Sequence, residues 1–358
     1  MDINEVKRKI ELQRLVDKMK LNMMKHRIRY DNYISESINI LIEYDNYNNY
    51  NMLDLLYYIF TDIKIELLDQ LAIDIMYLVD IDAPDKFFIE YLYNWYNNLN
   101  DTSKIKLSLS YTDYINTKVN ETIGDLNVDF LRGKYFLDIG SGDCALTFPI
   151  AEKLGMKGVA VDIETEIEWK GDSKDDRCKV RILYDGTNLN DILNEIKQLN
   201  PYNEKNPNNI EIGLITYNHS LHHFGSYGNI KHSIEQASNT ITDNGYIIFR
   251  EHAVDDFEDD IKINLQHILF QIKYIMNDAE TFDEFWNLYI KFIDEYTADY
   301  MSEELLKKYC RDEGLTFLKD NPRIIPEPTN LEELINKHVD YSVDESLTLL
   351  YIFQKKLI

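Results

Sequence analysis

Cysteine, proline, glycine and basic residues are all scarce in this chain of 358 residues. The three cysteines, Cys144, Cys178 and Cys310, stand singly, so no disulfide framework or CxxC metal pair is expected and a reducing compartment is favoured. The 38 Lys and Arg residues face 63 Asp and Glu residues, which gives a net charge of −25. So acidic a chain disfavours a broad nucleic-acid-binding surface, because phosphate contacts require clustered Lys and Arg.

Uninterrupted apolar runs of membrane-spanning length are also lacking. The most apolar stretch, LDLLYYIFTDIKIELLDQLAIDIMYLV, is broken every few residues by Asp, Lys or Glu, which is typical of buried helices. The first residues, MDINEVKRKIELQRL, are charged throughout and do not have the pattern of a signal peptide. We therefore expect a cytoplasmic protein without a membrane partner.

Hydrophobic periodicity divides the chain into two predicted domains. Residues 1–118 carry apolar side chains at three- and four-residue steps, which predicts an all-helical N-terminal domain. Over 119–358, strands alternate with helices, as in an α/β domain with a parallel, doubly wound sheet. Within it, an aromatic-rich segment at about 253–300 is predicted to be a helical insertion. The predicted strands are YFLDIG (135–140), GVAVDIE (158–164), KVRILYDG (179–186), IEIGLITYN (210–218), GYIIFREH (245–252), GLTFL (314–318) and SLTLLYIFQKK (346–356).

A glycine corner follows the first predicted strand, in LDIGSGDCALTFPIA. Gly140 and Gly142 let a ligand approach the main chain before a helix predicted over 144–155. Ala145 stands where the dinucleotide motif has its third glycine, and the Asp138 carboxylate would repel a pyrophosphate. A nicotinamide dehydrogenase therefore fits poorly, and a ligand with a cationic amino group or sulfonium fits better.

Acidic residues end the next two predicted strands. Asp162 lies 22 residues after Gly140, where a carboxylate can bind both hydroxyls of a ribose. Asp185, in YDGTNL, is placed to reach an adenine amino group. Each has a simpler alternative, since Asp162 can cap a helix over 164–170 and Asp185 can form an Asx turn.

Taken in order, these motifs resemble those of the class I S-adenosylmethionine-dependent methyltransferases. LDIGSGDCALTFPIA resembles the first motif, VAVDIE the second, ILYDGTNL the third, and YNHSLHHF the motif of the fourth strand. The resemblance covers about 120–358. It implies a Rossmann-like, doubly wound, mostly parallel sheet of seven strands with an antiparallel last strand. It also implies S-adenosyl-L-methionine as cofactor and a methyl acceptor whose class stays open.

The same resemblance implies roles for individual residues. Cys144 departs from the family pattern, because glycine is common at this position. Its side chain would narrow the space for the cofactor at the glycine corner. The implied contacts are the methionine portion for Asp138, Gly140 and Gly142, the ribose for Asp162, the adenine for Asp185 and the sulfonium for Asn218.

Histidines follow the fourth and fifth predicted strands, at the sheet edge where ligands bind. His222, His223 and His252, together with Glu251, are the candidates for a general base that takes a proton from an attacking hydroxyl or amine. Orientation and desolvation alone also accelerate methyl transfer, so a base is not strictly required. The spacing of these four residues matches no specific metal-ligand pattern, and we expect no metal.

Two further alternatives stay open. Residues 1–30 contain nine Lys and Arg residues at helical spacing, which predicts an RNA or protein partner for this helix or simply a solvated helix face. The second alternative concerns activity. The chain is either an active methyltransferase or a catalytically degenerate subunit that has the methyltransferase fold and acts as a binding or regulatory partner.

Overall fold

The computed structural model describes residues 37–38, 56, 59–60, 62–80, 84–100, 103, 111–124, 126–163, 180–184, 188–252, 254, 257–296, 298–322 and 348–356. The basic segment 1–30, Cys178 and Asp185 lie outside these residues. The described elements, in chain order, are α1 (Ile65–Asp80), α2 (Asp85–Asn97), α3 (Tyr111–Ile123), α4 (Val128–Leu131), β1 (Tyr135–Ile139), α5 (Thr147–Leu154), β2 (Lys157–Asp162), β3 (Arg181–Leu183), α6 (Leu189–Leu199), β4 (Ile212–Asn218), a 3-10 turn (Leu221–His223), α7 (Tyr227–Thr240), β5 (Ile241–His252), α8 (Phe257–Asp278), α9 (Phe282–Glu295), α10 (Glu303–Asp312), β6 (Leu315–Pro322) and β7 (Thr348–Lys355).

Two compact units make up the chain. The helical unit comprises Met1–Ser108, Asp256–Tyr296 and Glu327–Val343, and the α/β unit comprises Leu109–Asp255, Thr297–Pro326 and Asp344–Ile358. The helices of the predicted insertion, α8 and α9, thus belong to the helical unit rather than to the α/β unit. The domain bounds of 1–118 and 119–358 stay a prediction.

The core of the helical unit shows why α8 and α9 belong there. Leu71 of α1 and Phe88 of α2 are fully buried in one cluster with Ile272 of α8 and Phe285 of α9. Each helix presents apolar residues at three- and four-residue steps, so one face of each is buried in this core. Tyr96 Oη also donates a hydrogen bond of 2.8 Å to Asn277 Oδ1, which links α2 to α8.

The α/β unit is built on a seven-stranded sheet with the order β3-β2-β1-β4-β5-β7-β6. Strands β1 to β5 pair in parallel, whereas β7 runs antiparallel to both β5 and β6. This confirms the predicted Rossmann-like, doubly wound and mostly parallel sheet with an antiparallel last strand. The strand order reverses between β1 and β4, and ligands of such sheets bind outside the carboxyl ends of the strands at this point.

Burial explains the strands. All five residues of β1 are buried, and so are the first six residues of β4, as expected for strands covered on both faces. Strand β5 begins at Ile241 rather than at the predicted Gly245, because Ile241 already pairs with Ile212 before a shift of register. Among the described residues, the helices include none whose length and hydropathy suit a membrane span.

Candidate functional site

The glycine corner after β1 is closed by hydrogen bonds within the protein. Gly140 N and Ser141 N both donate to Val161 O, at 2.8 and 3.2 Å. Gly140 has φ +71°, and a Cβ there would lie 2.2 Å from Ser220 Cβ. Only glycine therefore permits this backbone conformation and this close approach.

Gly142 has a different environment. Its φ is +52°, and a Cβ added there would meet no heavy atom within 4 Å. Its amide donates a hydrogen bond of 2.8 Å to Asp162 Oδ2, at the carboxyl end of β2. The structure thus brings Gly142 and Asp162 together beside open space, and their predicted contacts with a cofactor stay a prediction.

Arg181 of β3 joins this group, and sequence reasoning missed it. Its Nη1 donates to Gly142 O, and its Nη2 lies 3.7 Å from Asp162 Oδ2. The Asp162 side chain is 13% exposed, and the next residue, Ile163, is 71% exposed. A single arginine in a short strand carries no motif, so the sequence offered no signal for this contact.

Asp138 lies inside the protein. It is 1% exposed and accepts hydrogen bonds from Thr147 Oγ1 (2.6 Å), Thr216 Oγ1 (2.6 Å) and Asn218 Nδ2 (3.0 Å). Burial raises the pKa of Asp138, and the three donors oppose that shift. Its carboxylate therefore ties β1 to α5 and β4, and its contact with the methionine portion of a cofactor stays a prediction.

Two buried polar atoms beside the corner have no hydrogen-bond partner in the described part of the chain. They are Ser141 Oγ, in the loop after β1, and Asn218 Oδ1, at the end of β4. A buried polar group without a partner costs about 1–3 kcal/mol, so such atoms in a native protein point to a ligand or water. An amino acid group, with its ammonium donors and carboxylate acceptors, has the chemistry to satisfy both.

Cys144 overturns one expectation. It is disulfide-bonded, so the expectation that the scattered cysteines form no disulfide is wrong. It has φ +61° in a loop of turns, and α5 begins at Thr147 rather than at residue 144. Cys310 is a free, buried thiol whose pKa is raised by burial. Cysteine usage therefore no longer favours a reducing compartment.

Glu251 and His222 form a buried pair at the carboxyl ends of β4 and β5. His222 Nδ1 lies 2.6 Å from Glu251 Oε2, and Glu251 Oε1 accepts hydrogen bonds from Ser220 N (3.1 Å) and Leu221 N (2.8 Å). Burial raises the pKa of Glu251 to about 8 and lowers the pKa of His222 well below 6.5. Both shifts favour a neutral carboxyl group and a neutral imidazole. One proton then lies in the hydrogen bond between Glu251 Oε2 and His222 Nδ1, and the other is on His222 Nε2.

The imidazole rings of four histidines form a continuous row around this pair. Ring centroids are 4.8 Å apart for His219 and His252, 5.1 Å for His252 and His222, and 4.1 Å for His222 and His223. His222 and His252 are buried and His223 is exposed. Burial, with the neighbouring cations and histidines, lowers the pKa of His219 well below 6.5. The predicted residues His222, His223, Glu251 and His252 are thus brought together.

Tyr300 covers this row, and it too was missed by sequence reasoning. Its ring centroid lies 5.0 Å from that of His222 and 5.5 Å from that of His252. Asp299 N donates to His222 O at 2.7 Å. The cavity lined by His222, Glu251, His252 and Tyr300 has a volume of about 10 Å³, room for roughly one water molecule. The cavity is too small for an organic substrate.

No protein-family model matches the chain, and no curated protein matches it. Solved structures do. An S-adenosylmethionine-dependent methyltransferase from Archaeoglobus fulgidus is 13% identical over 69% of this chain and 95% of its own, with a TM-score of 0.37. Another from Clostridium acetobutylicum ATCC 824 is 15% identical over 70% and 94%, with a TM-score of 0.39. Magnesium protoporphyrin IX methyltransferase from Synechocystis PCC 6803, solved with bound SAH, is 10% identical over 70% and 90%, with a TM-score of 0.33.

Identities this low indicate a shared fold alone, and every one of these TM-scores is below 0.5. The function of this chain therefore has to be argued from its own geometry. In the described residues, the strand order and the one antiparallel strand are those of the class I methyltransferase fold.

Proposed function

We propose that the protein is an S-adenosyl-L-methionine-dependent methyltransferase. The observation that carries the proposal is the combination of Asp162 with the open space over Gly142, at a corner whose other amides are already bonded. A carboxylate at the end of the second strand suits the two hydroxyls of a ribose. Ile163, exposed beside it, offers an apolar surface for an adenine ring.

The same corner disfavours a dinucleotide. A pyrophosphate is held by free backbone N–H groups at a glycine turn and a helix N-terminus. Here Gly140 N and Ser141 N donate to Val161 O, and Gly142 N donates to Asp162. A nucleoside that carries an amino acid in place of phosphates needs none of these amides. It supplies instead the partners that Ser141 Oγ and Asn218 Oδ1 lack.

The acceptor side of the proposed site is the histidine row. When bound, S-adenosyl-L-methionine supplies a methyl carbon activated by the sulfonium. His222 acts as the base once the His222–Glu251 pair has lost the proton on Nε2 to solvent. The proton between the two side chains then stays on Nδ1, which donates to the ionised Glu251 carboxylate, and Nε2 is left basic. Glu251 orients His222 and the backbone of Ser220 and Leu221, so we assign it a positioning role. His252 and His223 flank His222 as further candidates.

One observation favours the alternative of a catalytically degenerate subunit. The cavity beside His222 and Glu251 has room for roughly one water molecule, and Tyr300 covers it. A subunit that binds the cofactor and regulates a partner would need no larger acceptor pocket. The acceptor class, an RNA or protein partner for segment 1–30 and a cytoplasmic location all stay proposals, and the disulfide of Cys144 weighs against the last.

Photochemical cross-linking tests the proposal directly. Ultraviolet irradiation with S-adenosyl-L-methionine labelled in the methyl group should label the wild-type protein. Excess unlabelled S-adenosylhomocysteine (SAH) should abolish the labelling, and excess NADH should not. Asp162→Ala should reduce it strongly, whereas Asp191→Ala, on the exposed first turn of α6, should not. Labelling that NADH suppresses, or that Asp162→Ala leaves unchanged, would contradict the proposed cofactor site.

A further inference from the structure

Ser220 is the residue at which the two halves of the proposed site meet. It follows β4 and is 8% exposed, and its amide and its hydroxyl make hydrogen bonds to different halves of the site. Its amide donates to Glu251 Oε1 at 3.1 Å, on the acceptor side. Its hydroxyl donates to Ile139 O at 2.7 Å, at the last residue of β1 and next to the glycine corner.

Steric contact adds to these hydrogen bonds. A Cβ on Gly140 would lie 2.2 Å from Ser220 Cβ and 2.8 Å from Ser220 Oγ. The serine side chain therefore packs directly on the Gly140 backbone. Gly140 N is bonded to Val161 O, one residue before Asp162. A shift of Ser220 would therefore be transmitted through Gly140 toward the carboxylate proposed to bind the ribose.

A second link runs parallel to this one. Asn218, two residues earlier, donates to Asp138 Oδ1 at 3.0 Å. Asp138 is itself fully enclosed by hydroxyl and amide donors, so this link fixes the end of β4 against β1. Ser220 differs from Asn218 in touching the corner itself and in being held by Glu251, the partner of His222.

We propose that Ser220 is a positioning residue that couples the His222–Glu251 pair to the cofactor corner at Gly140. Through its hydroxyl and its Cβ it holds the corner in the form that binds the cofactor. Through its amide it fixes the start of the turn that carries His222. The inference rests on the proposed function, and nothing in the sequence motif distinguishes this serine from its neighbours.

The first test replaces Ser220 by alanine, which removes the hydroxyl and keeps the Cβ. Titration calorimetry with SAH should show affinity lower by about tenfold, the effect of one buried hydrogen bond. Hydrogen exchange should accelerate in the peptide 137–146 and not across the remaining strands, which a general loss of stability would not produce. The matched control is Ser226→Ala, which removes a hydroxyl that caps α7 and should leave SAH affinity unchanged.

The second test uses rescue. Gly140→Ala should lower SAH affinity by roughly a hundredfold because its Cβ overlaps Ser220. Ser220→Gly in the same chain should restore about tenfold of it, up to the affinity of Ser220→Ala, since the hydroxyl is still missing. Unchanged affinity in Ser220→Ala, or a double variant that binds no better than Gly140→Ala, overturns the role of Ser220. Wild-type and Asp162→Ala proteins run alongside separate the two proposals: a wild type that does not bind SAH overturns both, whereas binding that only Asp162→Ala abolishes overturns the Ser220 inference alone.

Discussion

Asn218 Nδ2 donates a hydrogen bond of 3.0 Å to Asp138 Oδ1, so two residues expected to contact a cofactor are bonded to each other. Asp138 is enclosed by this amide and two threonine hydroxyls, and the residue is 1% exposed. Asn218 Oδ1, in contrast, is buried and accepts no hydrogen bond from any described residue. Asp138 thus holds β1, α5 and β4 together, whereas Asn218 Oδ1 can still accept a hydrogen bond from a ligand.

Asn218→Ala should therefore affect stability and binding together. Losing one buried hydrogen bond to a carboxylate should cost roughly 1–3 kcal/mol of folding free energy in urea denaturation. SAH affinity should also fall, by about tenfold, since the acceptor proposed for an ammonium is removed. Asn98→Ala, which removes an exposed amide bonded to a backbone carbonyl, is the control and should do neither to this extent. If Asn218→Ala is destabilised but binds SAH as tightly as the wild type, Asn218 serves only to hold Asp138 and does not contact the ligand.

Gly142→Ala should weaken binding far more than it weakens the fold. The new methyl group meets no protein atom within 4 Å, so the cost is the left-handed backbone, about 1–2 kcal/mol. The methyl group enters the space proposed for the ligand, and SAH affinity should fall by at least about tenfold. Gly133→Ala is matched, since Gly133 has φ +77° and open space but lies before β1, away from the corner. Equal binding by both variants would place the ligand elsewhere.

Glu251→Gln should change how stability depends on pH. Burial raises the pKa of Glu251 from 4.5 to about 8, so its proton is held more tightly in the folded protein. That contribution is fully present below pH 4.5 and is lost as pH rises through 8. The wild type should therefore lose melting temperature relative to Glu251→Gln between pH 5 and pH 8.5, at roughly 2–4 °C for each kcal/mol.

The control for this comparison is Glu235→Gln, at a carboxylate whose side chain is 50% exposed. The melting temperature of Glu235→Gln should differ from that of the wild type by a nearly constant amount between pH 5 and pH 8.5. The lowered pKa of His222 acts in the opposite direction, since its contribution is lost as pH falls below 6.5, and it is common to both proteins. A constant gap between Glu251→Gln and the wild type would show that Glu251 is ionised in the folded protein.

Tyr300→Ala should open the cavity beside the histidine row. Diethyl pyrocarbonate modifies accessible neutral imidazoles, and peptide mass spectrometry identifies the histidine that reacts. In the wild type, exposed His223 should react first, and the variant should accelerate the reaction of buried His222 and His252 by about tenfold. Tyr309→Ala, on α10, is the control. Unaltered rates at His222 would mean that Tyr300 does not cover the site.

The sheet could be predicted from the sequence because each strand has its own hydrophobic pattern within a short segment of the chain. The buried runs around Phe136 and Ile215 and the carboxylate that ends β2 at Asp162 follow from hydrophobic pattern and spacing. The contacts of Arg181, Ser220 and Tyr300 could not be predicted in this way, because each joins segments far apart in the chain. The same holds for α8 and α9, whose apolar faces gave no indication of which core they would enter.

The burial of Asp138 marks a second limit. Its position before Gly140 suggested a carboxylate facing the ligand, yet the hydroxyls of Thr147 and Thr216 enclose it. Those donors come from α5 and β4, and their convergence on one carboxylate is a property of the packed sheet. A single sequence therefore identifies a motif more readily than it identifies which atoms of the motif remain accessible.

The cofactor site can be tested by calorimetric titration of the wild type and Asp162→Ala with SAH, using NADH as the control ligand. We expect micromolar binding of SAH by the wild type, loss of at least about tenfold in the variant, and no binding of NADH. A folded wild-type protein that does not bind SAH, or that binds NADH instead, would contradict the proposed site.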